Sequence, residues 1–342
     1  MRSINFFKII SLILATCLSL IRCEQVKDDF AGTYCLNLQN TEMVISQTGD
    51  LVTFSLQTGL IENGTGTIKG NKLALTATLS ESELFACELS FSNDRTSFSG
   101  PYNIVGNGGE TLMEGILLGN KGECPEYDID AAGVPAFVEK DFTQLSKIEK
   151  ISKFRSGFGH SFTDGFEVCR SMKHYFNPYQ EYRQNNTVDI YSPVNGIILS
   201  VANDGHGAST GLTNKEIQIR PNEYSAFVFV LYHCDLTSEA IAAGKSIEAG
   251  ELIGHARLYY DDLAEYATSF DIAVWVNTPS GIRLISYFET MSDALFYTYL
   301  ARGVTSRQDF IISKEARDAS PLQCDGDTFI STGSIENFVN LN

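Results

Sequence analysis

Positive charge is in short supply in this chain. Its 342 residues hold 25 Lys and Arg against 42 Asp and Glu, a formal net charge of −17. A protein that grips phosphates needs clustered Lys and Arg, so the balance argues against a nucleic-acid partner and against electrostatic docking on an anionic lipid surface. Histidine is scarce too, at five residues, and none precedes His160. No Cys-x-x-Cys pair occurs, which removes support for a thiolate zinc knuckle or a thioredoxin-like redox pair. Beyond residue 22 no apolar run approaches the ~18–20 residues that a spanning helix requires. What is present is a 43% hydrophobic content with an ordinary charged fraction of 20%. That is the composition of a folded chain long enough for two domains with a core in each.

The N-terminus points to export. Arg2 and Lys8 precede an apolar stretch over 9–21, a charged n-region and a short h-region, so residues 1–22 read as a secretory signal. Leu20-Ile21-Arg22-Cys23 resembles a bacterial lipoprotein box with Cys23 as the lipidated residue, although Arg22 stands where such boxes carry a small one. Two outcomes stay open: a lipid anchor at Cys23, the only route to a membrane, or release to the periplasm or medium. Loss of residues 1–22 removes three basic side chains and takes the formal charge from −17 to −20. Six cysteines follow: Cys35, Cys87, Cys124, Cys169, Cys234 and Cys324. An even number in an exported chain predicts disulfides. With three in each half, either one bridge joins the halves or some thiols stay free.

Residues 28–122 predict an all-β module. Runs of β-formers at 43–46 and 51–56 flank Gln47-Thr48-Gly49-Asp50, those at 64–68 and 73–79 flank Lys69-Gly70-Asn71-Lys72, and those at 84–91 and 96–99 flank Asn93-Asp94-Arg95. Such spacing suits a small antiparallel barrel or sandwich. Lacking histidine and clustered acids, the module reads as a packing or binding unit. A linker with a short helix around 137–151 is expected over 123–153.

The second half, 154–280, is also mainly β but differs in its motifs. Asp189 to Val201 reads as strand, Ser-Pro-Val-x-Gly turn, strand, and Gly244 to Gly254 carries an Ala-Gly-x-x-Ile-Gly turn. Glycine is expected there because the chain must turn with positive φ. Together these segments resemble a barrel-sandwich hybrid. Biotinyl and lipoyl carrier domains share that architecture but need a modifiable Lys at the hairpin, which is missing here.

Three further motifs, in order, resemble the lysostaphin-like (LytM-type) zinc endopeptidases over about 155–280. His160-Ser161-Phe162-Thr163-Asp164 resembles their His-x-x-x-Asp element, with Phe162 where the family prefers Gly. Leu231-Tyr232-His233-Cys234 resembles their Tyr-His element at the end of a core strand. Ser269-Phe270-Asp271-Ile272-Ala273-Val274-Trp275-Val276 corresponds to the strand that carries their His-x-His pair, with both histidines replaced. The resemblance implies zinc held by His160, Asp164 and Asp271, with His233 as the catalytic residue that stabilises the transition state. A His-Asp-Asp set is more anionic than His-His-Asp and would raise the pKa of metal-bound water. Ser269 does not titrate in a range useful for moving protons.

Ser269, Tyr232, His174 and His255 are the candidate groove residues; packing is the competing role for His174 and His255. His206 reads as a surface turn, and Tyr259-Tyr260-Asp261-Asp262 as a polar-aromatic loop. Residues 281–342 predict a helical extension, with Leu295, Phe296, Tyr299 and Leu300 on one side of a helix over 292–301. The tail with Cys324 is expected to be pinned back by a disulfide. Two functions stay open. One is an exported zinc metallopeptidase acting on peptidoglycan or another extracellular peptide. The other is an inactive pseudopeptidase that keeps the groove to bind peptide or glycan, or to regulate a partner.

Overall fold

The computed structural model describes residues 29–37, 41–57, 61–80, 83–204, 211–260 and 265–342. The signal segment, Cys23, His206 and Asp261-Asp262 lie outside the described residues.

Eight antiparallel strands come first: β1 (Gly32–Leu36), β2 (Glu42–Thr48), β3 (Leu51–Leu56), β4 (Gly64–Lys69), β5 (Lys72–Ser80), β6 (Glu83–Phe91), β7 (Ser97–Gly106) and β8 (Thr111–Lys121). They follow one another in order, and β8 pairs with β1, which closes a barrel. The alternation seen in the sequence sets the inside. Met43 and Ile45, Val52 and Phe54, Leu73 and Leu75, Phe85 and Leu89 are buried while their neighbours face outward. Phe30, Tyr34, Phe91, Phe98 and Tyr102 join them, with Phe30 edge-on to Phe91 at 4.8 Å. Large rings fill this small barrel, so it is a packed module.

After the barrel the helix expected around 137–151 does not form. A short α1 (Ile129–Ala132), capped by the Asp128 carboxylate, precedes a 3-10 turn at Leu145–Lys147 and then strand β9 (Ile148–Ser152). Tertiary contacts override local helix propensity here: Val138 N donates to Thr290 O, and Phe142 O accepts from Tyr191 N, so the segment's backbone is already spoken for.

The second domain holds β10 (His174–Pro178), β11 (Asp189–Tyr191), β12 (Gly196–Asn203), β13 (Lys215–Pro221), β14 (Phe227–Leu236), β15 (Ser246–Ile247), β16 (Leu252–Ala256), a ribbon of β17 (Tyr259–Tyr260) with β18 (Glu265–Tyr266), then β19 (Phe270–Thr278) and β20 (Gly281–Ile285). The main path of its sheet runs β15-β12-β13-β14-β19-β10-β9, and β20 pairs with β19. Central strands β14 and β19 are apolar on both faces because both are covered. Phe227, Phe229 and Leu231 enter one core with Ile272, Val274 and Val276, whereas Val228, Val230 and Tyr232 enter a second with Ala273 and Trp275.

The motif glycines divide into two kinds. Gly250 turns the chain at φ +84°, as predicted. Gly254 is needed for proximity instead, since a Cβ there would stand 2.1 Å from the Asp235 carbonyl oxygen across the β14–β16 pair.

The extension adds α2 (Tyr287–Thr290), α3 (Asp293–Leu300) and α4 (Lys314–Ala319), then a hairpin of β21 (Cys324–Asp325) with β22 (Thr328–Phe329), and β23 (Phe338–Asn340), which joins the sheet beside β9. Ser292 caps α3, and Leu295, Phe296 and Tyr299 are its buried side, as their spacing predicts, whereas Leu300, expected with them, is exposed at the last turn. Disulfides link Cys35 to Cys124 and Cys169 to Cys324, the second pinning the tail as expected. Cys87 and Cys234 are free and buried, one in each half, and burial pushes the Cys87 thiol up to about 12. Cross-links of this kind form and persist in oxidising compartments such as the periplasm or the extracellular space.

Candidate functional site

The Tyr-His element sits on a distortion of β14. Across the β13–β14 pair, Lys215 faces Cys234 and Ile217 faces Leu231, so Glu216 stands opposite two residues, Tyr232 and His233. This is a β-bulge, and His233 takes the left-handed φ of +58° that the extra residue demands. Strict alternation would send Tyr232 and His233 to opposite faces; the bulge lets both reach one cluster. The Asp204 carboxylate, just past β12, fixes the distortion by accepting from the His233 backbone N–H at 3.0 Å while lying 2.7 Å from its Nδ1.

On the far side of the imidazole, Nε2 is 3.2 Å from Asp271 Oδ1. Asp271 is fully buried on β19, and its other oxygen lies 2.6 Å from the Lys173 ammonium. Asp271 thus faces one cation from each of its carboxylate oxygens. Lys173 is itself 3% exposed and walled by rings: its Nζ stands 4.1 Å from the centroid of Tyr232, 4.8 Å from Phe162 and 5.3 Å from Tyr175. Four ionised groups form a chain, Asp204–His233–Asp271–Lys173, with two charges of each sign.

Titration follows that geometry. Burial opposes the charged form of His233, but the contacts to Asp204 and Asp271 prevail and push its pKa up to about 10. Burial likewise works against an ionised Asp271, and Lys173 with His233 holds its carboxyl far below the usual range all the same. Lys173 is raised despite its own desolvation, chiefly by Asp271. Glu216, opposite the bulge, is raised by burial, and its Oε1 accepts from Gln218 Nε2 at 2.8 Å.

His160 lies beside this cluster on the loop that precedes β10. Its pKa is lowered by burial and then by the Lys173 charge, and its Nδ1 is 3.1 Å from the Ser161 carbonyl. The loop is tied at several points. Phe162 N donates to Arg170 O and accepts, through its own carbonyl, from Met172 N, which sets its ring over Lys173. Buried Glu167 bridges Arg155 at 2.8 Å and Arg170 at 2.7 Å, and Cys169 carries the disulfide to the tail.

Asp164 points elsewhere. Its buried carboxylate accepts from Phe166 N and Leu284 N, at 3.0 and 2.9 Å, and lies 3.4 Å from Arg283 Nε. His160, Asp164 and Asp271 therefore do not converge with free lone pairs. Among the described residues no group of three or more His, Cys, Asp or Glu is arranged to hold a metal ion. The donor set does not fit a tetrahedral zinc: one carboxylate serves a turn and an arginine, and the other already faces two cations.

Of the groove candidates, Tyr232 belongs to the cluster and half-buried Ser269 precedes β19. His174 is in the core, 1% exposed, between the Ser152 carbonyl and the Ser286 hydroxyl, both at 2.8 Å; burial drives it down to about 4. Its polar partners and β10 position make it a packing residue, which corrects the groove assignment. His255 joins β16 to β11 through Asp189, at 2.9 Å. Sequence reasoning missed Lys173, Asp204 and Glu216 as members of the site. The one available signal was the charge pattern, a carboxylate in the middle of the apolar 270–276 strand that a cation would have to meet.

No protein-family model matches the sequence, and no curated protein matches it. Two solved structures of Helicobacter pylori Csd3, from an orthorhombic and a hexagonal crystal, each align with 75% of this chain, at 13% and 11% identity and a TM-score of 0.29. The chain spans about half the length of those structures, 51% and 49%. So loose an overlap assigns no activity to this chain.

Proposed function

We propose that the second domain is a metal-independent binding domain on a lysostaphin-like scaffold, in an exported protein that recognises an extracellular peptide or glycan without cleaving it. One observation carries the reading: the Lys173 ammonium, 2.6 Å from Asp271, already supplies the counter-charge that a metal would bring to that buried carboxylate. A divalent ion there would have to expel a buried ammonium or endure its repulsion, and either is costly in a desolvated site. His233 adds to the case. Its ring lies between two carboxylates, Asp204 at 2.7 Å and Asp271 at 3.2 Å, which raise its pKa and favour the protonated imidazole. The ordered succession of Ser-Pro-Val-x-Gly, Tyr-His and Ala-Gly-x-x-Ile-Gly supports the scaffold, and the two disulfides support export.

Metal analysis of the purified protein tests the proposal, before and after incubation with zinc and removal of the excess. The expected result is no stoichiometric zinc, with peptidoglycan and oligoglycine turned over no faster than by His160→Ala. Near one zinc per chain, with cleavage that His160→Ala abolishes, would establish the zinc metallopeptidase instead.

A further inference from the structure

Strand β19 leads from the ion-pair cluster into a second feature. Asp271, Ala273 and Trp275 alternate onto one face, so the strand that supplies Asp271 also lays Trp275 along a groove of about 560 Å³. Barrel residues Thr41 and Gln57 form one bank of it, and Thr163, Phe166 and Ser280 belong to the other. Trp275 is the sole tryptophan of the chain; it is 9% exposed, and its indole Nε1 finds no hydrogen-bond partner among the described residues. Phe166 is 48% exposed, with the Arg283 guanidinium over its ring at 4.5 Å.

The chemistry of these walls narrows the ligand. Thr41, Gln57, Thr163 and Ser280 offer hydroxyl and amide groups, which both donate and accept. An anion would meet Glu126, which also lines the groove, while the nearby Arg283 is engaged with Asp164. Aromatic carbon combined with neutral two-way hydrogen bonding suits a sugar, whose C–H face packs on a ring while its hydroxyls trade bonds at the rim.

We infer that this groove binds a neutral oligosaccharide, with Phe166 as the stacking platform and Thr41, Gln57, Thr163 and Ser280 exchanging hydrogen bonds with its hydroxyls. The inference rests on the binding reading above and names its ligand class. An uncharged peptide is the competing occupant, because it could pair with β20, which has β19 on one side only.

The full chain is titrated with β-1,4-linked hexasaccharides of glucose and of N-acetylglucosamine, and with hexaglycine. Trp275 fluorescence reports the groove directly, and calorimetry gives the affinity. A saturable response to a saccharide is expected, weakened about fivefold to tenfold by Phe166→Ala and restored by Phe166→Tyr. Phe166 is exposed, so its truncation spares the core; Gln57→Ala, on the exposed barrel bank, removes one amide partner and should also weaken binding. No saccharide response up to about 10 mM, or a response to hexaglycine alone, overturns the inference. Either failure leaves the metal-independent reading standing, since zinc content decides that question separately. A zinc-loaded protein that still binds the saccharide would overturn that reading and keep this one.

Discussion

Replacing Lys173 with Met keeps the length and apolar body of the side chain and deletes only its charge. The ammonium is 2.6 Å from Asp271 and faces three rings at 4.1 to 5.3 Å. Two opposite charges 4 Å apart are worth about 4 kcal/mol at an effective dielectric of ~20, and closer contact raises that figure. Desolvation of the ammonium offsets much of it, but removing one partner leaves the other charge buried and uncompensated, which typically costs about 3–5 kcal/mol. His233 still faces Asp271 at 3.2 Å, so the lower end, about 3 kcal/mol, is the expected loss.

Urea unfolding at pH 7 measures this loss through Trp275, which packs edge-on to Phe162 at 5.5 Å and so reports the second domain. Far-UV circular dichroism serves as an independent probe, because two domains need not unfold together. Asp271→Asn and the double variant complete a cycle, in which a coupling of about 2–3 kcal/mol is expected. A loss below about 1 kcal/mol in Lys173→Met, with effects additive to within about 0.5 kcal/mol, would refute the idea that this lysine is the site's counter-ion.

His233 has a folded pKa of about 10, above its ordinary value, so its stabilisation is complete below about pH 6.5 and disappears as pH rises through 10. Nitrogen-15 NMR at pH 8 should find both ring nitrogens protonated, and a neutral ring would contradict the network. His174 behaves oppositely. Its folded pKa of about 4 means the unfolded chain protonates first, so stability should fall by up to about 3 kcal/mol between pH 6.5 and 4. His174→Gln should flatten that part of the profile, and an unchanged slope of the urea midpoint against pH would show that His174 is not its source. Replacing Cys169 and Cys324 with Ser opens a cross-link between residues 155 apart, for an expected loss of about 4–5 kcal/mol. A melting point lowered from that of the oxidised parent toward that of the parent under reductant verifies it; an unmoved melting point refutes it.

How much could be read from the sequence differs between the halves for a physical reason. In the barrel all strand pairings but the closing β1–β8 pair join consecutive strands: Met43, Ile45, Val52 and Phe54 alternate, and Gly49 or Gly70 turns the chain between neighbours. Period and turn chemistry therefore suffice. The linker failed because Val138 and Phe142 take their hydrogen bonds from residues far along the chain, which no local propensity reports. Gly254 was placed correctly and explained wrongly, since a strand approaching at 2.1 Å from an imagined Cβ leaves no trace in the sequence beyond the glycine itself.

The site shows the same limit in sharper form. The family resemblance put His160, His233 and Asp271 in one site but not what they meet, because two of the decisive facts leave no motif. One is the bulge at Tyr232 and His233, an irregularity that defeats the period-two rule at the one place where chemistry depends on it. The other is charge compensation. A carboxylate at position 271, where the resemblance calls for an imidazole, puts a full negative charge into a wholly buried strand. Such a charge must be paired, and a metal is only one way to do so. Lys173 and His233 supply two positive charges against Asp271 and Asp204, which closes the account without a cofactor. Adding zinc to that balance would leave two positive charges in excess inside a ring of Tyr232, Phe162 and Tyr175. The exchange of histidine for aspartate is thus legible as a loss of ligands from sequence alone, and the proposed reading as a change of cation rests on the lysine seen beside it.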